Sequence, residues 1–135
     1  MAALAADRNT PQKSTIREVS YKVKTGVTIF MGGGVCVDAT GYAIPASDTT
    51  GLITVGVAQE TVVGGAAASG TYSIAVHQCV AKFATALTIT SVGVDVCWED
   101  DQTVELAATA TNDIVAGRVI GLDTDGAWII VGGQN

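Results

Sequence analysis

Two separate segments of the chain share one pattern of apolar residues and glycines. Val35-Cys36-Val37 recurs as Val96-Cys97-Trp98, and a glycine follows each at the same distance, Gly56 and Gly117. The same offset, without a gap, aligns Gly32 with Gly93, Ala46 with Ala107, Thr50 with Thr111 and Ile53 with Ile114. Such a frame indicates one supersecondary unit used twice, in a pseudo-symmetric barrel or sandwich. Identities among such common residue types also arise by chance, so the sequence leaves both interpretations open.

The composition favours an all-β domain, either a small β-barrel or a β-sandwich. The chain has 135 residues, enough for one domain with a core of its own, and aromatic residues make up only 5% of it. Sixteen glycines with abundant Thr and Val are typical of short strands joined by tight turns. No apolar run approaches the length of a membrane span, and we expect a protein made in a cytoplasm.

Alternation and turn residues predict the strands. An edge strand is expected over residues 16–24, and a hairpin with its tip at Thr40-Gly41 joins residues 35–39 to 42–45. A core strand is expected over 53–62, passing through Gly56, and a bend near His77-Gln78 separates strands 71–76 and 80–84. The remaining predicted strands are 27–30, 93–98, 104–106, 114–122 and 127–131.

Charge is divided unevenly between the start of the chain and the rest. Positions 1–24 include five basic and two acidic residues, a formal charge of +3, whereas positions 25–135 include two basic and eleven acidic residues, a charge of −9. We therefore predict a flexible N-terminal arm over residues 1–19 and a single β-rich domain over residues 20–135. The opposite signs favour an arm that lies on an acidic surface, which is its own body, a neighbouring copy or a different partner. A merely solvated terminus is the competing interpretation, and the acidic body argues against nucleic acid as a partner.

Catalytic, metal and cofactor sites are not indicated. Cys36, Cys79 and Cys97 are odd in number and lack metal-ligand spacing, so we expect buried free thiols, with a Cys36–Cys97 bond across a pseudo-dyad as the alternative. His77 lies two positions from Cys79, but its neighbourhood in sequence offers no carboxylate that would orient a catalytic ring.

Other candidate sites have structural explanations. Gly32-Gly33-Gly34 lacks the residues of a phosphate-binding loop, and the acidic turns at 99–101 and 123–125 lack the spacing of a calcium loop. Trp98 and Trp128 are expected to pack in the core or in a subunit contact.

One long run and three shorter ones carry a resemblance to a known family. The run is Gly34-Val35-Cys36-Val37-Asp38-Ala39-Thr40-Gly41-Tyr42-Ala43-Ile44-Pro45-Ala46, and the shorter segments are 55–58, 116–119 and 126–128. From about residue 20 onward, the chain resembles the small capsid decoration, or cement, proteins of tailed bacteriophages.

The resemblance implies a trimer-prone β-structure on the exterior of a phage capsid, where it holds neighbouring major capsid protein subunits together as a non-enzymatic virion component. It also implies an N-terminal arm that orders on the major capsid protein. Together with the charge asymmetry, it assigns partner binding to the arm's basic residues, Arg8, Lys13, Arg17, Lys22 and Lys24. A phage tail-tube or head-completion component and a carbohydrate-binding module, with Trp98, Trp128 or Tyr42 as sugar platforms, remain alternative hypotheses.

Overall fold

The computed structural model describes residues 2–88 and 91–132, without the side chains of residues 13–16. It confirms the all-β class, and the described residues contain no α-helix. The eleven strands are β1 Gln12–Lys22, β2 Thr28–Ile29, β3 Gly34–Val37, β4 Ala43–Pro45, β5 Ile53–Ala58, β6 Val62–Val63, β7 Ser73–Phe83, β8 Asp95–Trp98, β9 Val104–Leu106, β10 Val115–Asp123 and β11 Gly126–Val131.

Nine strands form one antiparallel sheet. Eight of them follow the order β4-β3-β5-β7-β11-β10-β8-β9, and β1 pairs with β7 along its other edge. β2 and β6 form a separate two-stranded sheet. The long predicted strand over 53–62 is therefore two strands in different sheets, whereas 71–76 and 80–84 are the two ends of one continuous strand, β7.

Strand pairing shows that the two halves of the sequence repeat have the same structure. Cys36 pairs with Ile44 between β3 and β4, and Cys97 pairs with Glu105 between β8 and β9. Both residues of the second pair follow those of the first at the offset that relates Val35 to Val96. Three of the four pairs between β3 and β5 have exact counterparts between β8 and β10. Both ladders shift register at the same step, after the pairs Val35–Gly56 and Val96–Gly117. The repeated glycines thus mark the same irregularity of pairing in both units.

β7 belongs to both units. In the first unit, the first half of β7 pairs with β5, and in the second unit β11 pairs with β10 in the same way. The second half of β7 pairs with β11, just as β1 pairs with the first half of β7. A parallel bridge between Val23 and Ala43 links the end of β1 to β4, and a bridge between Ala84 and Thr103 lies just after β7 and just before β9. Each unit is therefore a closed circuit of five strands, as in a small barrel.

The bend expected near His77-Gln78 is where β7 changes the face that it buries. Ile74 and Val76 are buried before this point, and Cys79, Ala81 and Phe83 after it. Since side chains alternate with a period of two, this change of parity turns the second half of the strand toward the other core.

The core consists of two apolar clusters. The first lies within the first unit, and the second joins the second unit to Cys36, Ala46, Leu52 and Val57 of the first. Four of the eight buried members of the first cluster have buried counterparts at the repeat's offset: Val35, Ala43, Val55 and Ala58 correspond to Val96, Val104, Ala116 and Val119. The second cluster is larger and includes Trp98, which is fully buried, with its ring perpendicular to that of Phe83 at a centroid distance of 5.1 Å. The core position expected for Trp98 is confirmed.

A buried hydrogen-bond chain joins the two units. Trp98 Nε1 donates to Thr54 Oγ1 at 2.9 Å, and the Thr54 hydroxyl donates to the carbonyl oxygen of Val115 at 2.6 Å. Thr54 and Val115 occupy equivalent positions in the two units, so the bond crosses the pseudo-dyad. A β-carbon added to Gly34 would lie 2.4 Å from the Trp98 ring, so only glycine fits beneath this indole.

Gly117 allows β10 and β11 to approach, and this predicts a large effect of a small substitution. A β-carbon there would lie 1.9 Å from the carbonyl oxygen of Ile130, whereas one on Gly121, in the same strand, would meet nothing within 4 Å. We expect Gly117→Ala to lower the free energy of unfolding by roughly 2–3 kcal/mol and Gly121→Ala to change it by about 1 kcal/mol or less. Urea denaturation measures both, and equal stability of the two variants would contradict the packing described.

Candidate interaction surface

The start of the chain lies along the acidic body. Leu4 N donates to Asp101 Oδ1 at 2.9 Å, Gln102 Nε2 donates to the carbonyl oxygen of Ala2 at 2.6 Å, and Lys82 N donates to that of Pro11 at 2.9 Å. The charge pattern allowed three surfaces for the arm: its own body, a neighbouring copy or a different partner. In the single chain, the arm lies on its own body. The boundary predicted between residues 19 and 20 falls inside β1, which begins at Gln12.

Arg8 is held firmly against the body. Its backbone N–H donates to the carbonyl oxygen of Met31 at 2.8 Å, and its guanidinium donates to that of Lys82 at 3.1 Å while lying 5.5 Å from the centre of the Phe83 ring. Desolvation by burial lowers the pKa of this guanidinium, an effect that nearby Asp125 opposes. Arg8 therefore anchors the arm to its own body.

Lys24 is engaged just beyond the end of β1. Its Nζ lies 2.6 Å from Asp38 Oδ2, and this hydrogen bond, together with those from Thr40 and Tyr42, holds the pKa of the Asp38 carboxyl well below its usual range. Asp38 is in the hairpin between β3 and β4, so the pair ties the end of β1 to that hairpin.

Arg17 and Lys22 are exposed on β1. Arg17 Nε donates to Gln78 Oε1 at 2.7 Å across the pairing with β7, and Glu18 lies 2.8 Å from His77 Nε2. The side chain of Lys13 lies outside the described ones. The five basic residues proposed for partner binding thus do not converge on one cluster: two contact the body, and at least two face solvent on an edge strand.

Cys36, Cys79 and Cys97 are all buried free thiols. Burial raises the pKa of Cys36 to about 12 and those of Cys79 and Cys97 to about 11. His77 contacts Glu18 on the outer side of the sheet, so a carboxylate does lie beside the ring, but Cys79 faces the core. A thiol so buried is a poor nucleophile.

The acidic turns show no arrangement suited to a metal or to acid–base catalysis. Within the described ranges, no three His, Cys, Asp or Glu side chains are grouped as a metal would require. Asp123 and Asp125 both contact Lys82, at 3.4 and 2.9 Å. One pair of carboxyl groups, Glu99 and Glu105, could not be predicted from the sequence. Desolvation by burial, and then a hydrogen bond with Glu99, raise the pKa of Glu105, which lines a cavity of about 430 Å³. Carboxyl groups in direct contact are too close for the two-carboxylate geometries of glycoside hydrolysis.

Comparison with protein-family models, curated proteins and solved structures finds no match to this chain. The described residues include no apolar helix of membrane-spanning length.

The thiols give a test of the core that involves no partner. We expect none of the three cysteines to react with a disulfide reagent in the folded protein near neutral pH, and all three to react after unfolding in urea. Because the folded-state pKa values exceed the ordinary value of 9.0, the thiols' contribution to stability is complete below pH 9 and is lost as the pH rises through about 11 to 12. Stoichiometric labelling under native conditions would contradict the assignment.

Proposed function

We propose that the chain is a non-enzymatic structural protein of a phage virion, which binds the outside of the capsid and stabilises contacts between major capsid protein subunits. The observation that carries the proposal is strand β1, which among the described residues pairs with β7 alone and presents Arg17 and Lys22 to solvent. An unpaired strand edge offers backbone donors and acceptors to another chain, and basic side chains beside it favour an acidic partner.

Basic residues on an edge strand also keep copies of a protein from pairing edge to edge. The uneven charge also supports docking, because residues 1–24 have a formal charge of +3 and residues 25–135 one of −9. Several copies on one particle would compensate for weak single contacts. Self-association as a trimer and a location on the capsid exterior belong to the same proposal and rest on the family resemblance.

The carbohydrate-binding alternative has less support. Trp98 is fully buried. The Lys82 ammonium lies over the Trp128 ring, 5.6 Å from its centre, and Trp128 Nε1 donates to Asp123 Oδ2 at 2.9 Å. A sugar platform needs an open aromatic face. The tail-tube hypothesis has no specific observation in its favour.

Neutralising the exposed charges of β1 tests the docking surface. We expect Arg17→Gln with Lys22→Gln to lower occupancy on phage heads at least tenfold, and occupancy of the wild-type chain to fall as salt is raised. The control is Thr50→Glu with Thr124→Glu, two exposed positions that give the same formal net charge of −8. Co-sedimentation with heads that lack the chain measures both, and equal loss in the two variants would show that overall charge, not β1, determines binding.

A further inference from the structure

The internal repeat produces two equivalent backbone frames at the surface, which we call the first and second grooves. The first groove consists of Met31, Gly32, Ala58 and Gln59, and the second of Val92, Gly93, Val119 and Ile120, each at the repeat's offset from its counterpart. Their backbones match closely. Gly32 N donates to Ala58 O at 2.9 Å and Gly93 N to Val119 O at 2.7 Å, and the φ angles of Gly32 and Gly93 are 87° and 88°.

The first groove is filled by the chain's own arm. Arg8 N and the hydroxyl of buried Thr10 donate to the carbonyl oxygens of Met31 and Gly32. The arm passes so close that a β-carbon on Gly32 would lie 2.0 Å from the carbonyl oxygen of Arg8. An extended segment is therefore recognised here through two carbonyl groups and a glycine that allows close approach.

The second groove has the same frame, and no described residue covers it. A β-carbon on Gly93 would meet nothing within 4 Å. The side chains around it are more apolar than those of the first groove: Val92, Val94 and Ile120 are 41%, 42% and 43% exposed, and Val94 and Ile120 replace Gly33 and Gln59. Neighbouring exposed apolar residues on a rigid frame are typical of an interaction site.

We propose that the second groove is the docking site for an extended, non-acidic segment of a capsid subunit. The segment donates a backbone N–H to the Val92 carbonyl and a second donor to the Gly93 carbonyl, as Arg8 and Thr10 do in the first groove. Its apolar side chains cover Val94 and Ile120. This inference rests on the proposed function and adds a second contact to β1.

Two observations select this occupant. Each chain has one arm for two grooves. That arm is held in the first groove by contacts at Arg8 and Thr10, and elsewhere on the body by Leu4, so a second copy has no free arm to offer. Residues 25–135 have a formal charge of −9, which disfavours an acidic segment.

Gly93→Asn tests the groove, because asparagine tolerates positive φ and its side chain would fill the space that the partner's backbone needs. Gly51→Asn is the matched control: Gly51 has a φ of 85°, and a β-carbon on it also meets nothing within 4 Å. We expect Gly93→Asn to lower occupancy on phage heads roughly tenfold or more, and Gly51→Asn to bind as the wild type does. Both variants should unfold at similar urea concentrations, and Val94→Lys, which leaves the backbone unchanged, should reproduce the loss.

Binding of Gly93→Asn and Val94→Lys at the wild-type level would overturn the groove assignment while leaving the proposed function intact. Absence of binding by the wild-type chain would overturn both. Sedimentation of the free proteins identifies the occupant: an unchanged oligomeric state in the variants supports a capsid segment, whereas reduced self-association would assign the groove to a second copy and overturn the proposal.

Discussion

The fold depends on one strand that serves two cores. β7 completes the first five-stranded circuit and begins the second, and it does so by changing its buried face between Val76 and Cys79. A period-two strand can bury only one face against one core, so this change of parity is the condition for both units to close. Gly56 and Gly117 allow close backbone contact beside the equivalent register shifts. Thr54 then ties the units together through its hydrogen bonds with Trp98 and Val115.

The same repeat organises the surface. Two units with one backbone frame would present equal grooves, but there is only one arm, and it covers the first groove with Arg8 and Thr10. Among the described residues, the single N-terminal segment therefore closes one groove and leaves the other open. Basic residues of the arm have correspondingly different roles, since Arg8 and Lys24 stabilise the chain itself while Arg17 and Lys22 face outward.

Much of the fold could be predicted because glycines and alternating apolar residues determine where its strands and turns lie. The offset linking Val35-Cys36 to Val96-Cys97 indicated the repeat, and the bend predicted near His77-Gln78 lies where β7 changes its buried face. The pattern could not show that residues 71–76 and 80–84 form one strand, because a change of face resembles a bend in sequence alone. Nor could it show that β1 begins at Gln12, since its early residues do not alternate and are ordered by pairing with β7.

The surface was less predictable, because clustering of charge along the chain does not determine clustering in space. Nothing in the sequence distinguishes Arg8, which lies over the Phe83 ring, from exposed Lys22. The open groove becomes visible only when the registers of the two units are compared. The most direct measurement is electron microscopy of heads that lack the chain, mixed with the purified protein. We expect density on the outer surface where capsid subunits meet, with β1 and Val94 facing the shell; bare heads, or density confined to the tail or portal, would contradict the proposed function.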